Sequence, residues 1–219
     1  MSVVESKVTT TAIGPHIRTH DQFNLVALTI ISVLDVWYLA CTTDLRLIGT
    51  DELGQDPASY PIFLALLLFF TLYICVDIVW IYLIPASVHG NQSTAVLVHH
   101  LVTLVQLVIP WLNQNLSWHF AITLVVEINT LVLVCRRSVP QHSAAYQVLD
   151  LLFYATWIIF RLLLFPLLVL FCYSEYMRLA ARSGYLNSIA VSLVTMTILT
   201  VMSYKWTYDL IIKQFRKKK

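Results

Sequence analysis

The chain has 219 residues, of which 58% are hydrophobic and only 12% charged, with a formal net charge of +2. Soluble domains carry roughly 25% charged residues, and the mean hydropathy here is +0.75. This composition excludes an ordinary soluble domain and a disordered chain, and the small net charge argues against a nucleic-acid partner. Apolar runs of about 20 residues, the length that crosses a bilayer core, point instead to an all-α polytopic membrane protein.

In chain order, a polar tail (1–22) precedes six predicted spans at 23–41, 62–84, 94–112, 118–135, 148–172 and 185–212, and a basic tail (213–219) follows them. The spans form one six-helix membrane domain, 23–212, with no internal repeat. The runs are too long for strands and do not alternate, which argues against a β-barrel. Gly14, Gly49, Gly54, Gly90 and Gly184 all fall outside the spans, and Pro61, Pro85, Pro110 and Pro140 sit at or near span boundaries. Pro166 alone lies well inside a span and predicts a kink there. The first tail has no apolar h-region, so no cleaved leader is expected and the first span directs insertion.

Orientation follows from the basic residues outside the spans. Lys7, Arg18, Arg136, Arg137, Lys213, Arg216, Lys217, Lys218 and Lys219 share one side, and Arg46, Arg178 and Arg182 the other. Both termini are therefore expected in the cytosol. Asn115-Leu116-Ser117 becomes a lumenal sequon and Asn91-Gln92-Ser93 a cytosolic one. The ending Arg216-Lys217-Lys218-Lys219 resembles a dilysine-type retrieval tail, as in residents of the endoplasmic reticulum. Cys41, Cys75, Cys135 and Cys172 lie in or at the ends of spans without metal-like spacing, and read as small packing residues.

The informative residues are ionisable ones within the spans: Asp35, Asp77, His99, His100, Glu127, Arg161 and Lys205, with Asp150 and Asp209 near span ends. A charge in hydrocarbon costs at least about 2.5–3.5 kcal/mol, so such groups are paired, face a polar cavity or do chemistry. They lie on helical stripes: His99, Thr103 and Gln106; His119, Thr123, Glu127 and Thr130; Asp150, Tyr154, Trp157 and Arg161; Tyr73, Asp77 and Trp80. Four such stripes imply a shared interior. His99 and His100 fall roughly 8–9 Å from the cytosolic end of span three. Adjacent imidazoles point about 100° apart and suit a metal less well than an i, i+4 pair, so no metal is expected. An imidazole suits general acid–base or nucleophilic work. Asp77 or Glu127 can orient the ring, as in a triad, and Arg161 and Lys205 can balance the acids or bind an anionic head group.

The run Val98-His99-His100-Leu101-Val102-Thr103-Leu104 resembles the His-His signature of TLC-domain membrane proteins. The preceding segment Tyr73 to Trp80, the polar stretch from Glu127, the aromatic helix Phe153 to Arg161 ending in Pro166, and the close Tyr204-Lys205-Trp206 are similar to that family too. The resemblance covers roughly Asp56 to the C-terminus. The family includes ceramide synthases, which join a fatty acyl-CoA to a sphingoid amine in the endoplasmic reticulum. Where they carry a His-Asp-x-x-Asp run, this chain reads Val126-Glu127-Ile128-Asn129-Thr130, nearer the pattern of the other TLC-domain proteins.

The resemblance implies a barrel-like bundle of six helices, with His99 and His100 as catalytic residues in a cytosol-facing polar cavity. Asp77, Tyr73, Trp80, Thr103, Glu127, Asn129, Thr130, Arg161 and Lys205 are the expected supporting or substrate-binding residues. The expected reaction is acyl-CoA-dependent transfer to a membrane lipid, with no bound cofactor and with a membrane lipid or fatty acyl chain as partner. Two alternatives accompany it: a non-catalytic lipid-binding protein of membrane lipid homeostasis, and a transporter or proton pathway. Against the last, no inverted repeat or interrupted helix pair is visible.

Overall fold

A computed structural model describes residues 14–41, 60–88, 92–112, 117–183 and 188–217. Asn91, Asn115 and the last two lysines lie outside these, as does Arg46. The described residues form α1 (Pro15–Cys41), α2 (Tyr60–Leu83), a 3₁₀ turn (Pro85–Ser87), α3 (Ser93–Leu112), α4 (Ser117–Leu124), α5 (Val126–Ser138), α6 (Ala144–Thr156), a π-helical segment (Trp157–Leu164), α7 (Phe165–Ser183) and α8 (Ser188–Lys217). No strand occurs among them. Six helical stretches are long and apolar enough to cross a membrane: Pro15–Cys41, Pro61–Leu83, Ser93–Leu112, Ser117–Ser138, Ala144–Ala180 and Ser188–Ile212. The chain is an all-α polytopic membrane protein.

The spans pack as a closed ring. α1 packs on α2, α2 on α3, α3 on α8, α8 on α7 and the π-helical segment, α6 on α5, and α5 back on α1. Two apolar clusters fill the seams. Leu28 and Ile31 meet Phe63, Leu66, Leu67 and Phe70, with Phe120 and Leu124, in one. Phe165, Leu168 and Cys172 meet Met196 and Leu199 in the other. The outward faces stay apolar, with Leu72, Leu151, Leu163 and Val201 all more than half exposed. In water such a belt would be a liability, whereas a bilayer covers it.

Two local features depart from simple spans. The first helix begins at Pro15 rather than at 23. Proline suits a first helical position, where its missing N–H costs nothing. Twenty-seven residues make a helix of about 40 Å, longer than the roughly 30 Å of a bilayer core, so its first turns extend past the apolar layer.

The second departure is the predicted kink at Pro166, which takes the form of the π-helical segment just before it. Pro166 has no N–H for the carbonyl one turn back. The ladder widens instead, and the Phe165 N–H donates to the Phe160 carbonyl, five residues back. Such widened turns recur at functional sites, and this one carries Trp157 and Arg161.

Candidate functional site

A cavity of about 540 Å³ occupies the end of the ring that holds the α2–α3 and α5–α6 connections. Every span contributes to its wall: His20, Asp21 and Asn24 from α1, Tyr73 and Asp77 from α2, His99 and His100 from α3, Glu127, Asn129 and Thr130 from α5, Tyr154, Trp157 and Arg161 from the fifth span, and Trp206 and Asp209 from α8. Val96, Leu133, Val134, Phe153 and Leu210 supply apolar surface between them. The wall thus carries both polar and apolar groups.

Asp77 is the hub. Its carboxylate is 2% exposed and sits between two imidazoles. His20 Nε2 lies 2.5 Å from Oδ1 and His100 Nε2 2.7 Å from Oδ2. An ionised carboxylate only accepts, so both Nε2 atoms carry protons and donate. In a neutral ring, the other nitrogen of His100, Nδ1, is then a lone pair. It is buried and has no hydrogen-bond partner among the described residues. Nδ1 of His99 is likewise unpartnered, and that ring stands edge-on to Trp206 with centroids 5.2 Å apart. The two adjacent histidines therefore differ: His100 is held by a carboxylate, while no carboxylate among the described residues contacts His99.

Arg161 closes the opposite wall. Its Nε donates to Asn129 Oδ1 at 3.1 Å and its Nη2 to Thr130 Oγ1 at 3.3 Å. Asn129 is fixed in turn, donating to the Phe153 carbonyl and to Thr156 Oγ1. The guanidinium lies 5.0 Å from the Trp157 ring and 5.6 Å from that of Trp206, within cation–π range. Nη1 is buried and unpartnered.

Three expected residues stand elsewhere. Lys205 is not on the cavity wall. Its side chain is 62% exposed and pairs with Asp209 at 2.9 Å. α8 turns Trp206 inward, and the preceding residue is about 100° away around the helix. Thr103 spends its hydroxyl on the His99 carbonyl, 3.0 Å away. Trp80 lies behind the wall, stacked on Phe23 at 5.4 Å and tilted against His20 at 5.6 Å.

The stripe on span four is also divided. Glu127 and Thr130 line the cavity, whereas His119 and Thr123, one to two helical turns before Glu127, do not. His119 Nε2 instead lies 3.1 Å from Cys172 Sγ. Gln106, further along the α3 stripe, bonds Ser192 and Thr195 of α8 and serves packing.

The sequence does not single out His20 and Asp21, which fall in the polar tail, or Asn24, which falls at the start of the first predicted span. Their signal was the Gly14-Pro15 helix start followed by His20 and Asn24 at i, i+4.

A TLC-domain family model matches residues 23–212. The chain belongs to the TLC-domain family. No curated protein and no solved structure matches it. The TLC domain takes in most of the cavity wall, including His99, His100, Asp77 and Arg161, but stops short of His20 and Asp21. It points to a function related to membrane lipids.

Proposed function

We propose that the protein transfers a fatty acyl group from acyl-CoA to the amine or hydroxyl of a membrane lipid. The observation that carries this reading is the His100–Asp77 pair at 2.7 Å, with the far nitrogen of His100 buried and unpartnered beside a cavity lined by both polar and apolar residues. His100 Nδ1 takes the proton from the attacking N–H or O–H as that atom bonds to the thioester carbonyl carbon. Asp77 stabilises the imidazolium that forms. The C–S bond then breaks, and the proton passes from His100 to the departing CoA sulfur. The products are the acylated lipid and free CoA thiol. Arg161 Nη1 is a free donor for the carbonyl oxygen while it carries negative charge. His99, with no carboxylate partner, contacts substrate beside it.

Orientation supports the same reading. With both termini in the cytosol, the cavity lies in the cytosolic half, where acyl-CoA is supplied, and the acyl chain lies along Leu133, Val134 and Leu210. Residence in the endoplasmic reticulum fits the basic ending. Glycosylation mapping checks the orientation: Asn91 is expected to stay unmodified in cells, and a glycan there reverses the topology.

Turnover is tested with purified protein in lipid nanodiscs of mixed amine- and hydroxyl-bearing lipids, supplied with a long-chain acyl-CoA. Mass spectrometry is expected to find a new acylated lipid and an equal amount of CoA thiol. Intact lipid held in the cavity without turnover would favour non-catalytic lipid binding instead.

A further inference from the structure

The second oxygen of Asp77 is held by a residue that lies outside the segment matched by the family model. We propose that His20 is a positioning residue, whose hydrogen bond to Asp77 keeps His100 in the form that presents its Nδ1 lone pair. The proposal rests on the acyl-transfer reading for its purpose, but its evidence is geometric.

Donors run in one direction through this corner of the site. The Tyr73 hydroxyl donates to Asn24 Oδ1 at 3.2 Å. Asn24 Nδ2 lies 3.5 Å from His20 Nδ1 and faces it with a donor. His20 Nε2 donates to Asp77 Oδ1, and His100 Nε2 donates to Oδ2. Each member has one role, so the chain polarises consistently toward Asp77. A carboxylate with a single donor can rotate and offer that donor either oxygen. A second donor on the opposite side removes this freedom and aims Oδ2 at His100.

His20 is itself held in place. Its ring is 5% exposed and packs against Trp80. The next residue, Asp21, lies 3.3 Å from Arg137 Nη1 and ties the first turns of α1 to α5. Packing alone would be served equally well by an apolar ring at position 20. A ring nitrogen 2.5 Å from a buried carboxylate serves orientation.

The test reads tautomers rather than turnover. Full-length protein in lipid nanodiscs is labelled with ¹⁵N in its histidine rings, and His100→Gln identifies the His100 signals by their loss. In the wild type, His20 and His100 are both expected as the Nε2–H tautomer. In His20→Phe, the single His100 Nε2–H signal is expected to broaden as Asp77 turns and the hydrogen bond exchanges between its two oxygens. In His20→Gln, whose amide N–H supplies the same donor, the single signal is expected to return. His100 unchanged in His20→Phe overturns the proposal, and so does a wild-type His20 or His100 protonated on Nδ1. The wild-type measurement decides even where His20→Phe fails to assemble. No substrate is needed, so a protein without acyl transfer can still satisfy or fail this test. Where turnover is measurable, kcat in His20→Phe is expected to fall about 10²-fold with KM unchanged, as for a displaced catalytic group, and His20→Gln to recover it.

Discussion

Replacing His100 by alanine is expected to lower acyl transfer by about 10²–10⁴-fold, the range of a lost general base. Insertion and folding should survive, because His100 sits on the cavity wall rather than in either apolar cluster. His99→Ala is expected to abolish turnover as well, but for a different reason. His99 has no carboxylate partner, so its loss removes a contact to substrate and should raise KM along with the fall in kcat. Glu127→Gln keeps shape and most hydrogen bonding and should cost far less. The check is the rate of CoA-thiol release from equal amounts of folded variant in nanodiscs, with elution by size exclusion confirming assembly. Full activity in both single histidine variants would end the proposed mechanism.

The six helices could be read from residues because membrane spans obey strong local rules, whereas their barrel-like closure came from the family resemblance. Length, apolarity and the placement of Gly and Pro mark them without reference to tertiary contacts. The site was less open to such reading. His100, Asp77 and Glu127 could be singled out, since an ionisable group in hydrocarbon needs a reason. Lys205 met the same criterion and faces away from the cavity, because one step around a helix separates it from the inward Trp206. Depth in a span does not determine direction. His20 escaped for the converse reason. It lies beyond the apolar run, where a polar residue raises no question, and only the helix starting at Pro15 carries it back over the site. The π-helical segment was visible only as a kink at Pro166, since sequence periodicity does not distinguish a bent ladder from a widened one.

Two substitutions of Asp77 separate its electrostatic role from its structural one. Asp77→Ala removes the shared acceptor and leaves two buried imidazole N–H groups, on His20 and His100, without partners. Each such loss costs about 1–3 kcal/mol, so a clear fall in thermal stability is expected together with loss of turnover. Asp77→Asn keeps the shape but offers one carbonyl oxygen and one NH₂ group. The oxygen can accept from only one side of the bridge, and the NH₂ group meets an N–H on the other. If the NH₂ faces His100, that ring must accept on Nε2 and carry its proton on Nδ1, which removes the Nδ1 lone pair. If it faces His20, the negative charge that stabilises the His100 imidazolium is still absent. Either way turnover is expected to fall by about 10³–10⁴-fold, as when a triad carboxylate becomes an amide, while thermal stability falls less than in Asp77→Ala. Melting curves in detergent and CoA-thiol release, measured on the same preparations, read the two effects apart. An Asp77→Asn protein with wild-type turnover would show that the carboxylate only fastens α1, α2 and α3 together at this end of the bundle.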